Sequence, residues 1–385
     1  MNGDGDGDGG DPQLPQEVLM DILKRLPMKL LLRLRCVCRS WRSAIDDPTF
    51  GPLHYRHSAL DASNWYLVCL DYRVGFQDTC SLVPYDSLTL PPQLLVETPF
   101  VTPPPHRIRF VGSCNGLIGV AEFSRNREGQ YMHLWNLFTG KFKAVRLFPR
   151  RKEPRFLSKE ANSEFVGFGF DARSNDYKIV RMLHFHVGSR WIGGVGIYSL
   201  RTDIWRSLEC EVPAFRCDDK AVFLNENLYW VAFKLDDTGS ASEDASLFVF
   251  DLAREVFHEM VLPEETFQNK NKSASLKVSV AVLNESLTVF IGAEVSEVVE
   301  DYDLYYFVCS VWVMRESWTK LYTFQNPEVV ERFYGWMCDE LLMEIPRLCS
   351  CRISWNRTTD SFKVLPLPGT TDLVPVVENL VSPEI

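Results

Sequence analysis

Four times in this chain an aromatic residue is followed seven positions later by another, with turn-forming residues between them. Trp135 and Phe142 enclose Thr139-Gly140, and Tyr198 and Trp205 enclose Thr202-Asp203. Phe250 and Phe257 enclose Arg254-Glu255, and Trp355 and Phe362 enclose Thr359-Asp360. Trp312 and Trp318 make a fifth copy, one residue shorter. An aromatic on each arm of a tight turn is the cross-strand arrangement that stabilises a two-stranded unit. Each copy therefore predicts a hairpin.

Second hairpins precede several of these, at 110–120, 169–180, 223–231 and 282–290. Two hairpins in succession make four antiparallel strands, and the unit recurs roughly every 50 residues, the period of a propeller blade. The spacing predicts an all-β propeller of about six four-stranded blades. Full blades are expected at 106–149, 164–213, 219–263, 276–325 and 333–368, with an irregular first blade in 63–99. That first blade is one strand short, and the run 373–377 is the expected strand that completes it and closes the ring. The alternative architecture for the same strands is an antiparallel sandwich.

The chain before residue 53 follows a different rule. Val18, Leu19, Ile22, Leu23 and Leu26 recur at helical spacing, and so do Leu31, Leu34, Val37, Cys38 and Trp41. Pro15 suits the start of the first helix, and Pro27 separates it from the second. A segment this short cannot bury so much apolar surface alone. It needs the rest of the chain or another protein.

The order Leu14-Pro15, Glu17-Val18, Asp21-Ile22-Leu23, Arg25-Leu26-Pro27, Leu31-Leu32-Arg33, Cys36-Val37-Cys38, Ser40-Trp41-Arg42 resembles an F-box. This is the module that docks proteins onto the Skp1 adaptor of cullin-based ubiquitin ligases. Leu30 stands where that family commonly has Ser or Thr before the second helix, and loss of a capping hydroxyl costs about 1 kcal/mol. Downstream, the stretches 112–118, 134–136, 167–171, 175–180 and 225–230 resemble the F-box-associated domain of plant F-box proteins, the group often labelled F-box/kelch-repeat. Kelch repeats carry Gly-Gly in every blade, whereas here Gly193-Gly194 is the one such pair outside the tail. The organisation expected is a Gly/Asp tail at 1–12, an F-box at 13–53 and a propeller-like recognition domain at 60–380.

The resemblance implies a non-catalytic substrate-recognition subunit. Its partners would be a Skp1-like adaptor, through it a cullin–RING ligase, and a protein substrate. Leu14, Pro15, Val18, Ile22, Leu26, Pro27, Leu31, Val37, Cys38 and Trp41 are assigned to the adaptor interface or its immediate support. Two other readings are an F-box scaffold that binds Skp1 without promoting degradation, and a propeller enzyme with an incidental helical hairpin.

Composition narrows the partners. A net charge of -10 argues against nucleic acid as the main partner. No apolar run approaches the ~20 residues of a membrane helix, and the acidic, Gly-rich start is unlike a secretory signal. Eleven cysteines without a Cys-x-x-Cys pair read as reduced thiols in the cytoplasm or nucleus, with no metal or other cofactor expected. Asp4, Asp6, Asp8 and Gly9 match the opening of a calcium loop, but its closing Glu would fall at Pro15. His184 and His186 share one side of a strand without an apparent third ligand. Gly-rich phosphate loops and a Gly-x-Ser-x-Gly elbow are missing.

In a four-stranded blade, the connections 2–3 and 4–1 open on one face and the turns 1–2 and 3–4 on the other. Connections at 123–130, 150–163, 184–194, 235–246 and 294–304 are expected as long loops on the first face, where recognition is expected. A basic stretch runs from Lys141 to Lys159, and an acidic one includes Glu294, Glu297, Glu300, Asp301 and Asp303. Arg150, Arg151, Arg155, Arg190 and Trp191 are the candidate substrate-binding residues, the arginines for an acidic or phosphorylated segment.

Overall fold

The computed structural model describes residues 14–383 apart from 72–78, 86–93, 101–106, 124–129, 148–162, 188–189, 209, 211, 213–214, 218–219, 237–239, 265–275, 284, 300–301, 327, 338–339, 346–350 and 368–370. The tail at 1–12, with its Gly-Asp repeat, lies outside the described residues. Four helices come first: α1 (Gln16–Leu23), α2 (Met28–Leu34), α3 (Arg39–Ile45) and α4 (Phe50–Ser58). The strands that follow form six sheets arranged as the blades of a propeller, which excludes the sandwich.

Blade I takes β25 (Thr371–Val377) as its inner strand, followed by β1 (Trp65–Asp71), β2 (Thr79–Pro84) and β3 (Leu94–Glu97). Blade II is β4 (Arg107–Cys114), β5 (Leu117–Phe123), β6 (Tyr131–Trp135) and β7 (Phe142–Arg146). Blade III is β8 (Ser163–Asp171), β9 (Asp176–Val187), β10 (Arg190–Ser199) and β11 (Ile204–Leu208). Blade IV has a broken inner strand, β12 (Phe215–Cys217) and β13 (Val222–Leu224), then β14 (Asn227–Leu235), β15 (Ala241–Asp251) and β16 (Val256–Met260). Blade V is β17 (Lys277–Leu283), β18 (Ser286–Val299), β19 (Tyr302–Met314) and β20 (Trp318–Asn326). Blade VI is β21 (Arg332–Met337), β22 (Glu340–Ile345), β23 (Cys351–Asn356) and β24 (Ser361–Leu365).

The aromatic repeats pair as their spacing requires. Trp135 faces Phe142, Tyr198 faces Trp205, Phe250 faces Phe257 and Trp355 faces Phe362 across strands three and four of their blades. The residue after the first aromatic builds the turn. Asn136, Asp251 and Asn356 each accept two backbone N–H bonds through their side-chain oxygen, at 2.7–3.1 Å. The following Gly140, Glu255 and Asp360 take positive φ. The shorter fifth copy differs: a register shift at Val311/Trp312 places Lys320 opposite Trp312, and Trp318 faces Met314.

Middle strands are buried on both sides and outer strands are wet, as in β14 against β16. The reason is that each blade packs face to face on two neighbours. Cores lie at the seams: Val68, Phe110 and Trp135 between blades I and II, and Phe168, Ile179 and Met132 between II and III. Leu67, Leu342 and Leu365 fill the seam between VI and I. The ring is closed by β25, paired antiparallel to β1 from Asp71↔Thr371 to Trp65↔Val377.

Two expectations need correction. The apolar run 31–41 is not one helix but two, because Cys36–Cys38 leaves helical geometry and Cys38 caps α3, its sulfur accepting the Trp41 N–H at 3.4 Å. Leu30 lies inside α2, which Pro27 precedes, so it does not occupy a capping position. Val374, buried between blades I and II, gives a test of closure. Val374→Asp places an unpaired charge in that seam and is expected to lower unfolding free energy by about 3–5 kcal/mol, measured by urea denaturation.

Candidate functional site

Helix α1 is apolar on two sides. Leu19 and Leu23 turn inward to a small core with Leu31, Ala44, Ile45 and Phe50, against which Leu26, Leu34 and Trp41 pack. Leu14, Val18 and Ile22 follow one another at four-residue steps and are 58%, 43% and 45% exposed. Val37, in the turn between α2 and α3, is 65% exposed. Pro15, Pro27 and Cys38 are exposed too. The ten assigned residues therefore divide: Leu14, Pro15, Val18, Ile22, Pro27, Val37 and Cys38 face outward, Leu26 and Trp41 are half-buried, and Leu31 is wholly internal. Leu30 and Leu32, not among the ten, are also exposed. Their signal was the unbroken leucine run, which is more apolar than one helix side can bury.

Next to Val37 an open cleft is lined by Leu32, Arg35, Cys36, Val37, Cys38, Arg39 and Arg42. Asp46 fixes its far wall, its carboxylate accepting from Arg35 Nη2 at 2.9 Å and lying 3.5 Å from Arg42 Nε. The Arg35 guanidinium holds that carboxyl below the usual carboxylate range. The outward surface thus combines an apolar stripe with a basic margin.

Helix α4, which runs past the expected F-box boundary at residue 53, joins this module to the propeller. His54 Nε2 lies 3.0 Å from Leu26 O at the α1–α2 turn. One residue on, Tyr55 packs into the blade II–III seam, and burial pushes its hydroxyl pKa up. The short turns 1–2 and 3–4 are thereby the face nearest the helices. The connections 2–3 and 4–1 open on the opposite face.

Of the five long loops expected on that face, those at 123–130 and 150–163 lie almost wholly outside the described residues, and the other three are built differently. The segments 184–194, 235–246 and 294–304 are largely strand: β9 and β10 run to Val187 and from Arg190, β14 and β15 to Leu235 and from Ala241, β18 and β19 to Val299 and from Tyr302. In blade V the outer strand stops pairing at Phe307 and the inner one at Gly292. Beyond them, among the described residues, Val295–Val299 pairs with Tyr302–Tyr306 alone, a two-stranded arm reaching about 17 Å further at about 3.3 Å per residue. The reading as loops failed because the Glu and Asp residues of this stretch read as turn and loop, while the Val, Leu and Tyr residues among them, Val295, Val298, Val299, Leu304 and Tyr305, suit paired strands.

Of the candidate substrate residues, Arg150, Arg151 and Arg155 lie outside the described residues. Arg190 opens β10 opposite Val187, and its side chain is likewise outside them. Trp191 is half-buried, and its indole N–H donates to Asp236 O at 3.1 Å, lacing the blade III hairpin to that of blade IV. Lys220 lies between β12 and β13. There it pairs with Asp372 of blade I, on the opposite side of the ring, and donates to Leu373 O at 3.2 Å.

A profile of the F-box domain matches residues 12–53, and one described as the F-box associated beta propeller domain matches residues 87–344. The chain is 26% identical over 350 residues to F-box protein CPR1 of Arabidopsis thaliana, covering 83% of this chain and 75% of that protein. It is 26% identical over 265 residues to the F-box/kelch-repeat protein At3g23880 of the same plant, covering 65% of each. Among solved structures, the Dos1 propeller overlays 80% of this chain and 68% of that one at 10% identity, with a TM-score of 0.36.

His184, a candidate ligand by sequence, is fully buried between the rings of Phe165 and Phe215, at 5.6 and 4.8 Å. The His186 side chain lies outside the described residues. Among the described residues no three His, Cys, Asp or Glu side chains are grouped so as to hold a metal ion. Burial pushes the His184 pKa down from 6.5 to about 4. A depressed histidine favours the folded state in its neutral form, so stability is complete above pH 6.5 and falls as pH drops toward 4. The expected loss is about 3 kcal/mol, read from denaturation curves at stepped pH, and His184→Phe should flatten that slope.

Proposed function

The chain belongs to the F-box-associated β-propeller family of plant F-box proteins, and we propose that it is the substrate-recognition subunit of a Skp1–cullin–F-box ubiquitin ligase, acting in the cytoplasm or nucleus. The observation that carries this reading is the outward stripe Leu14, Val18 and Ile22, on a helix whose other side is already filled by its own core. Exposed apolar residues in a contiguous row mark an interaction surface. The adjoining margin of Arg35, Arg39 and Arg42 suits an acidic partner.

The mechanism is proximity. The helices hold a Skp1-like adaptor, and the propeller holds a target on the face carrying the hairpin arms, at the other end of the molecule. A separate conjugating enzyme supplies the reactive thioester. Tethering the target raises its effective concentration near that enzyme. In this role the chain needs no nucleophile or cofactor of its own, and its exchangeable part is the rim of connections around a fixed ring.

Adaptor affinity tests the reading. The double variants Leu14→Ala/Pro15→Ala and Val18→Ala/Ile22→Ala should each bind the Skp1 adaptor about 10- to 100-fold more weakly, with unchanged thermal midpoints because the side chains are exposed. Wild-type affinity in both would sink the assignment. Retention of adaptor without cullin in co-purified complexes would favour the scaffold.

A further inference from the structure

The segment that follows β25 lies between the two parts of the molecule. Asn379 is fully buried. Its Nδ2 donates to Gly116 O at 3.0 Å and Val377 O at 2.8 Å, while its Oδ1 accepts the Val381 N–H at 2.9 Å. Asn136 reaches it from the 3–4 turn of blade II, its Nδ2 lying 2.9 Å from Asn379 Oδ1, 3.2 Å from Asn379 O and 2.7 Å from Val381 O. Space around this pair is closed: at Gly116, which has φ +81°, an added Cβ would sit 2.1 Å from Asn379 Nδ2.

On its other side the same segment touches the helices. Leu380 packs on the core of Leu19, Leu23, Leu31 and Phe50. Gly51 of α4 lies against the backbone of Leu380 and Val381. Val381 joins the blade II–III seam, where Tyr55 also packs. The Glu378 N–H donates to Asn64 O at 3.0 Å, and Trp65 Nε1 to Ala59 O at 3.0 Å, so the entry into β1 is held as well.

We propose that residues 378–381 are a latch that locks the helical module to the short-turn face, with Asn136 and Asn379 as positioning residues and Leu380 as the anchor. With the latch engaged, the helices and the propeller turn as one body. The adaptor-docking stripe and the hairpin arms then keep a fixed separation. The bearing of that separation on ubiquitin transfer rests on the receptor reading; the latch itself does not.

Asn136→Asp separates latch from turn. The aspartate keeps an oxygen for the Phe138 and Thr139 N–H groups that the asparagine side chain now receives. It replaces the amide donor with a second acceptor facing three oxygens of the segment. Leu380→Ser leaves the asparagine pair untouched and removes the anchor. In the full chain, each variant should raise amide hydrogen exchange of α4 at least tenfold and enlarge the maximum dimension in solution scattering. Exchange in β6 and β7 should match wild type, and adaptor affinity should stay within twofold.

Wild-type α4 exchange and scattering in both variants would overturn the latch. Should Asn136→Asp also expose β6 and β7, Leu380→Ser decides, since it alters no blade hydrogen bond. Failure of the wild-type chain to bind adaptor would overturn the receptor reading alone and leave the latch to the exchange result.

Discussion

A sheet that packs on both faces still has two edges, and a propeller works only when its first and last blades meet on a complete face. Here that condition is met by antiparallel pairing of β25 with β1. Without β25, blade I would offer blades II and VI a three-stranded sheet lacking Leu373, Val374 and Val376, which are buried in the two seams. Asp372 would be lost as well, and with it the acceptor for the Phe110 N–H at 2.9 Å and the partner of Lys220. One strand thus completes a blade, fills two seams and braces the ring across its axis.

Much of this ring was legible. The seven-residue aromatic spacing is a direct statement of register, because a two-stranded turn of fixed length puts those positions opposite each other. It held at Trp135–Phe142, Tyr198–Trp205, Phe250–Phe257 and Trp355–Phe362. Where the count was one short, at Trp312, a bulge absorbed the difference and the pairing moved. The completing strand was also readable, as a surplus apolar run matched to a blade with a deficit. Less visible was the pairing of Lys220 with Asp372, since it joins residues 152 positions apart that no local pattern relates.

The helical end shows the limits more sharply. Periodicity names the apolar residues of a short helix but not which side meets which partner. Val18 and Leu19 are neighbours in sequence, yet one is outward and the other in the core. Helix α4 was hidden because Gly51 and Pro52 sit in its first turn, where proline is tolerated and glycine gives the close approach to Leu380 and Val381. Its polar His54 and Ser58 are buried through contact with the α1–α2 turn and each other. Such residues read as surface until the tertiary partner is known.

The order of synthesis gives the closing strand another meaning. Strand β1 leaves the ribosome early and its partner β25 follows about 300 residues later, a delay of about 15–60 s at the usual elongation rates. For that interval the strand beside the helices has an open edge of the kind that recruits other chains. Leu380, which packs on the outside of the helical core, arrives later still. The growing chain therefore carries an exposed apolar stripe and an unpaired edge together. A chaperone that covers open strand edges would find its substrate there before the propeller exists.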